Sequence, residues 1–137
     1  MFKAVFDTNI LFSATGWRGS PYQCLSLARN GKITLILCQE ILTEYHEKLQ
    51  TKLGLASDQA TRAVAEILSC ATLTEIKNEL RVVKDDPDDD KVVECAVTGE
   101  AAYIVSGDRH LLDMKEYKGI AIVRASQFLA LITENPA

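Results

Sequence analysis

Phe2-Lys3-Ala4-Val5-Phe6-Asp7 and Tyr103-Ile104-Val105-Ser106-Gly107-Asp108 are short apolar, β-rich runs, and each stops at an aspartate. In open α/β sheets, ligands collect outside the carboxyl ends of the strands, so an acid placed there carries more chemical meaning than one elsewhere. Aspartate is also a common turn former and helix cap, and either residue alone is accounted for in that way. The weight lies in the recurrence.

Outward from these two runs, strands and helices alternate. After Asp7 a loop is expected, and Gly19-Ser20-Pro21 supplies a cap and a first-turn proline for a helix ending near Gly31. Residues 33–37 read as a second strand. In 39–53, Ile41, Leu42, Tyr45 and Leu49 recur at helical spacing, and Gly54 marks the end. Ser57-Asp58 suits the start of another helix running to about Ala71, followed by a short helical or irregular piece to Leu80. Residues 80–83 read as a brief strand or extended link and 88–98 as a helix with Val92, Val93 and Ala96 on one side. Residues 102–105 read as a strand, 111–114 as a short helix and 120–123 as the last strand, and Ser126 is expected to cap a terminal helix. Such alternation predicts an α/β fold whose mostly parallel central sheet is wrapped by helices on both faces.

With 137 residues, 47% of them hydrophobic and 25% charged, one domain spanning residues 1–137 is expected. No apolar run approaches the roughly 18 residues that cross a bilayer, and the start lacks the layout of a secretion signal, so a cytoplasmic protein with no membrane partner is expected. Cys24, Cys38, Cys70 and Cys95 form no paired motif and read as reduced, mostly buried thiols. A net charge of −4 argues against a broad basic face for nucleic acid. It is compatible with a nucleic-acid enzyme whose carboxylates hold cations, because the cations supply positive charge where a phosphate arrives.

Asp85-Asp86-Pro87-Asp88-Asp89-Asp90 is the densest charge feature. An acidic first helical turn explains part of it, but five aspartates exceed what capping needs, and their repulsion is one that a divalent cation removes. An EF-hand is excluded, since Lys91 stands where its glycine belongs and Val97 where its bidentate glutamate belongs. Glu44 lies mid-helix on the Ile41 and Tyr45 side, while Glu40 and Glu47 read as surface charges.

Val5-Phe6-Asp7-Thr8-Asn9, Ile41-Leu42-Thr43-Glu44-Tyr45, Asp86-Pro87-Asp88-Asp89-Asp90-Lys91 and Ile104-Val105-Ser106-Gly107-Asp108 together resemble the PIN-domain nucleases, in that family's order and over essentially the whole chain. The nearest resemblance is to the bacterial group that acts as toxins of toxin–antitoxin pairs. It implies a PIN-like three-layer α/β/α sandwich. It also implies that Asp7, Glu44, Asp90 and Asp108 are the catalytic acids holding one or two Mg²⁺ or Mn²⁺ ions, with Thr8, Asn9, Asp86 and Ser106 supporting them. The chain departs from the family in having Ser106 where threonine is usual and His110 near the place where many members carry a further acid.

The implied reaction is hydrolysis of RNA phosphodiester bonds, leaving a 5′-phosphate and a 3′-hydroxyl. Hard oxygen ligands suit Mg²⁺ or Mn²⁺, which lower the pKa of bound water and stabilise the leaving oxygen. No side-chain nucleophile is needed, and His46 and His110 form no motif with Cys or Ser. Lys91, Arg109 and His110 are candidate RNA contacts, with Arg18 and Lys48 more remote, and Trp17 either stacks on a base or packs as an ordinary aromatic. A protein antitoxin and a homodimer are further implications of the resemblance. A non-catalytic RNA-binding or scaffold version of the same fold is the alternative. A phosphoacceptor domain is disfavoured, because the early acidic pair and the late strand-end lysine are missing.

Overall fold

The computed structural model describes residues 1–134. Its sheet has six strands, β1 (Lys3–Phe6), β2 (Thr34–Leu37), β3 (Ala71–Leu73), β4 (Tyr103–Val105), β5 (Glu116–Tyr117) and β6 (Ile120–Val123). They lie in the order β3-β2-β1-β4-β6-β5, all parallel except β5, which runs antiparallel to β6. Helices α1 (Thr8–Gly16), α2 (Ser20–Arg29), α3 (Gln39–Leu53), α4 (Ser57–Leu68), α5 (Asp90–Thr98), α6 (Arg109–Leu112) and α7 (Ala125–Glu134) provide the connections and the flanks. The mixed α/β class and the mostly parallel, helix-flanked sheet expected from the sequence are what the structure shows.

Strand register explains why both faces of the central strands are apolar. Val5 lies beside Ile36 and Ile104, so these three share one face. Ile36 also lies under Gly99 at the end of α5. Phe6 lies beside Val105, and Ala4 beside Tyr103, on the opposite face. There the Phe128 ring of α7 meets Phe6 and Tyr103 edge-on, with centroids 6.0 and 5.4 Å away. Alternate residues of β1 thus enter two cores, and the strand carries a continuous apolar run for that reason.

Several local readings change. Residues 8–16, expected as a loop, form α1, because the Asp7 side chain accepts the Ile10 N–H at 2.9 Å and caps a helix there. Residues 71–73, expected within or beside a helix, pair with β2 as an edge strand, and the two-residue β5 went unread. Residues 80–83 form no strand. The acidic segment makes a 3-10 turn (Pro87–Asp89) before α5 begins. The short helix starts at Arg109 rather than 111, and α7 starts at Ala125 with Gln127, not Ser126, bonding back to the Arg124 N–H at 3.0 Å. Cys24, Cys38 and Cys95 are buried and Cys70 is half-buried, all as free thiols.

The link from β3 to the acidic turn is held by α5. Glu94 is 8% exposed, and its two oxygens accept the N–H groups of Lys77, Asn78 and Leu80 at 2.8, 2.8 and 3.0 Å. Asp90, one turn earlier, accepts those of Val82 and Val83 at 2.9 and 2.8 Å. Main-chain donors that lack a strand partner are satisfied by carboxylates instead.

Candidate functional site

Parallel β1 and β4 are neighbours, so their carboxyl ends, and with them Asp7 and Asp108, open on one edge of the sheet. Asp7 is 3% exposed. Its Oδ1 is engaged by the Ile10 N–H, and its Oδ2 accepts a short hydrogen bond from the Ser106 hydroxyl. Ser106 in turn accepts the Asp108 N–H at 2.9 Å, and the Asp7 N–H reaches the Val105 carbonyl at 3.1 Å. The two strand ends are thereby locked together. Asp108 also accepts the His110 N–H at 2.8 Å, which orients its carboxylate at the start of α6.

The 3-10 turn and the residue before it add two further acids. One carboxylate oxygen each from Asp86, Asp89 and Asp108 lies within 4.8 Å of the other two. Burial, then the nearby charge of Asp108 and a hydrogen bond with it, then Asp86 and Asp7, push the Asp89 carboxyl up to about 8. Asp7 is pushed up to about 6, chiefly by burial, against the lowering effect of its bonds from Ser106 and Ile10. Carboxyls that resist ionisation beside one another form an arrangement that a divalent cation stabilises. Asp89 Oδ2 and the Thr8 hydroxyl, next to Asp7, are buried without a hydrogen-bond partner among the described residues. Oxygen donors of this kind, crowded and partly orphaned, fit a hard cation such as Mg²⁺ or Mn²⁺ and its water shell.

The sequence-predicted residues divide among several places. Asp7, Asp86, Asp108 and Ser106 share this edge. Asp90 is not one of the trio: its Oδ1 accepts the Val82 and Val83 amides, and its neighbour Asp89 stands in the cluster. Sequence reasoning passed over Asp89; the orphaned oxygen that marks it exists only in the folded chain. Glu44, on α3, lies outside the aspartate trio and is ion-paired to Lys91 at 3.2 Å. Asn9 is exposed and accepts the Lys48 ammonium at 2.6 Å, which brings Lys48 within electrostatic reach of Asp7.

Arg109 is exposed and His110 half-buried beside the cluster. Arg18 lies 5.0 Å over the Tyr22 ring and donates to its hydroxyl. Trp17 packs tilted against Phe12 yet remains 58% exposed.

A family model described as PIN domain matches residues 3–110. Among solved structures, the fold is similar to PAE2754 from Pyrobaculum aerophilum, with 19% identity and a TM-score of 0.64 over 98% of this chain and 91% of that one. It is also similar to VapBC2 from Rickettsia felis, solved bound to a DNA fragment from its promoter, with 16% identity and a TM-score of 0.60 over 88% of this chain and 97% of that one. No curated protein matches the sequence.

Proposed function

This chain belongs to the PIN domain family, and from that premise we propose that it is a divalent-metal-dependent endoribonuclease acting as the toxin of a toxin–antitoxin pair, with RNA as substrate and a protein antitoxin as partner. The observation that carries the reading is the Asp89 carboxylate. It is crowded by Asp108, Asp86 and Asp7, and one buried oxygen has no partner. Such a group is costly unless a cation satisfies it.

Asp7, Asp86, Asp89 and Asp108 would hold Mg²⁺ or Mn²⁺, with Glu44 approaching from α3. The ion supplies an activated water and positive charge for the phosphate. Ser106 orients Asp7, and the Thr8 hydroxyl is available to a water of the ion's shell. Asp90 takes a positioning role, holding the 82–83 link that leads into Asp86. Lys48, Lys91, Arg109 and His110 stand around the carboxylates as donors for neighbouring phosphates. Among the described residues no helix is long and apolar enough to cross a membrane.

The test is cleavage of a labelled single-stranded RNA in Mg²⁺ or Mn²⁺ by the wild type, Asp7→Asn and Asp89→Asn. Cleavage is expected from the wild type alone and should stop with EDTA. Activity indifferent to both substitutions and to the chelator would sink the proposal. Folded protein that binds RNA without cutting it would favour the non-catalytic reading.

A further inference from the structure

Glu44 and Lys91 meet across the gap between α3 and α5. The ammonium lies 3.2 Å from Glu44 Oε2, and the Lys91 side chain is only 16% exposed. The same ammonium donates to the Asp88 carbonyl at 2.6 Å, in the turn that also carries Asp89. Lys91 therefore bridges the α3 carboxylate to the segment that builds the aspartate cluster. Around it is a surface cavity of about 380 Å³ lined by Gln39, Glu40, Thr43, Glu44, Glu47 and Lys91. Among the described residues Lys91 is the sole cation of that lining, which it shares with three glutamates of one helix.

We infer that Lys91 is the chain's own substitute for an ion's charge at Glu44, and that a divalent ion bound at the aspartate cluster competes with Lys91 for that carboxylate. The inference rests on the proposed metal site and adds to it an order of events. Ion-free, the glutamates of α3 repel one another, and Lys91 offsets that repulsion. A dication within reach of Glu44 attracts it more strongly than a single ammonium does at equal distance. Released from Glu44, Lys91 keeps its anchor on the Asp88 carbonyl and becomes available to a phosphate oxygen of the substrate. Ion and RNA phosphate then bind cooperatively, each favouring the state in which the Glu44–Lys91 pair is open.

The experiment is calorimetric titration of the whole protein with Mn²⁺, without RNA, for the wild type, Asp89→Asn, Lys91→Met, Lys91→Gln, Glu44→Gln and the double variant Lys91→Met/Glu44→Gln. Lys48→Met serves as the control for loss of one nearby positive charge, since Lys48 bonds Asn9 rather than Glu44. Both Lys91 variants should bind Mn²⁺ about two- to fivefold more tightly than the wild type, the range expected for opening a partly exposed ion pair. In the Glu44→Gln background, Lys91→Met should change nothing further. Wild-type affinity in the Lys91 variants, a gain matched by Lys48→Met, or a gain that persists without Glu44 would each overturn the inference. If the wild type binds no Mn²⁺, the metal site itself fails and the inference falls with it. If Mn²⁺ binds and Asp89→Asn weakens it while Lys91→Met does not matter, the site stands and only the competition is wrong.

Discussion

Asp89 and Asp90 are consecutive, yet their carboxylates go to opposite tasks. Asp90 Oδ1 takes the N–H groups of Val82 and Val83 at 2.9 and 2.8 Å, whereas Asp89 sends an oxygen to within 4.8 Å of one from Asp86 and one from Asp108. One residue holds a link of the chain in place. The other is left with a buried oxygen that has no hydrogen-bond partner among the described residues.

Replacing Asp90 should therefore cost stability. Asp90→Ala leaves the amides of Val82 and Val83 without acceptors, a loss of about 2–4 kcal/mol for two charge-assisted bonds. The urea midpoint of Asp90→Ala should fall clearly below that of the wild type in EDTA, while Asp89→Asn should not lower it. Equal midpoints for Asp90→Ala and wild type would remove Asp90 from its anchoring role.

Asp89 also sets a pH dependence. Its carboxyl is pushed up to about 8 from an ordinary 3.8, so folding disfavours its ionised form. The resulting penalty is absent below about pH 3.8 and grows until pH passes 8, because the folded state binds more protons than the unfolded chain across that window. In EDTA, Asp89→Asn should melt several degrees above the wild type at pH 8 and level with it near pH 4. Saturating Mn²⁺ at pH 8 should stabilise the wild type and not the variant. A difference that does not vary with pH would contradict the crowding seen at the site.

Glu94 titrates with the opposite sense. Burial acts to raise its pKa, but the N–H groups of Leu80, Lys77, Asn78 and Glu79 outweigh burial and hold it below the ordinary value. It thus contributes stability above that value and loses it as pH falls. Glu94→Ala should cost about 3–5 kcal/mol and speed hydrogen exchange at the amides of Lys77, Asn78 and Leu80. Protection of those three amides unchanged by the substitution would show that the link is held by something else.

Gly99 is required by space rather than by backbone angle. A Cβ added there would lie 2.5 Å from Ile36 Cγ2 and 3.1 Å from the Cys95 carbonyl. Gly99→Ala should destabilise by about 1–3 kcal/mol through overpacking, read as a lower melting temperature. Removing the opposing Cγ2 in Gly99→Ala/Ile36→Ala should make the double variant less destabilised than the two single variants sum to, and full additivity would place the strain elsewhere.

The elements most legible in the sequence are those whose local signals agree. Residues 39–53 carry apolar positions at helical spacing and end at Gly54, which takes φ 67° and closes α3. The runs ending at Asp7 and Asp108 stand beside one another as parallel strands. Where signals are weak or double, the sequence misleads. Thr8–Gly16 carries no acidic residue in its first turn and reads as a loop, although Asp7, of a type common both in turns and at helix caps, caps a helix there. Ala71–Leu73 becomes a strand only because β2 offers it an edge.

The alternation of strands and helices, the acids at two strand ends and a concentration of negative charge awaiting a partner are legible without coordinates. These follow from side-chain periodicity and from residue chemistry, which are local. Only the tertiary structure decided which aspartate of the run from Asp85 to Asp90 faces the cluster and which ties down the chain. It also decided that Glu44 meets Lys91 rather than the aspartates. Neighbouring helical positions point about 100° apart, so a choice between Asp89 and Asp90 depends on where the 3-10 turn hands over to α5. It depends equally on which unpaired amides, those of Val82 and Val83, lie within reach.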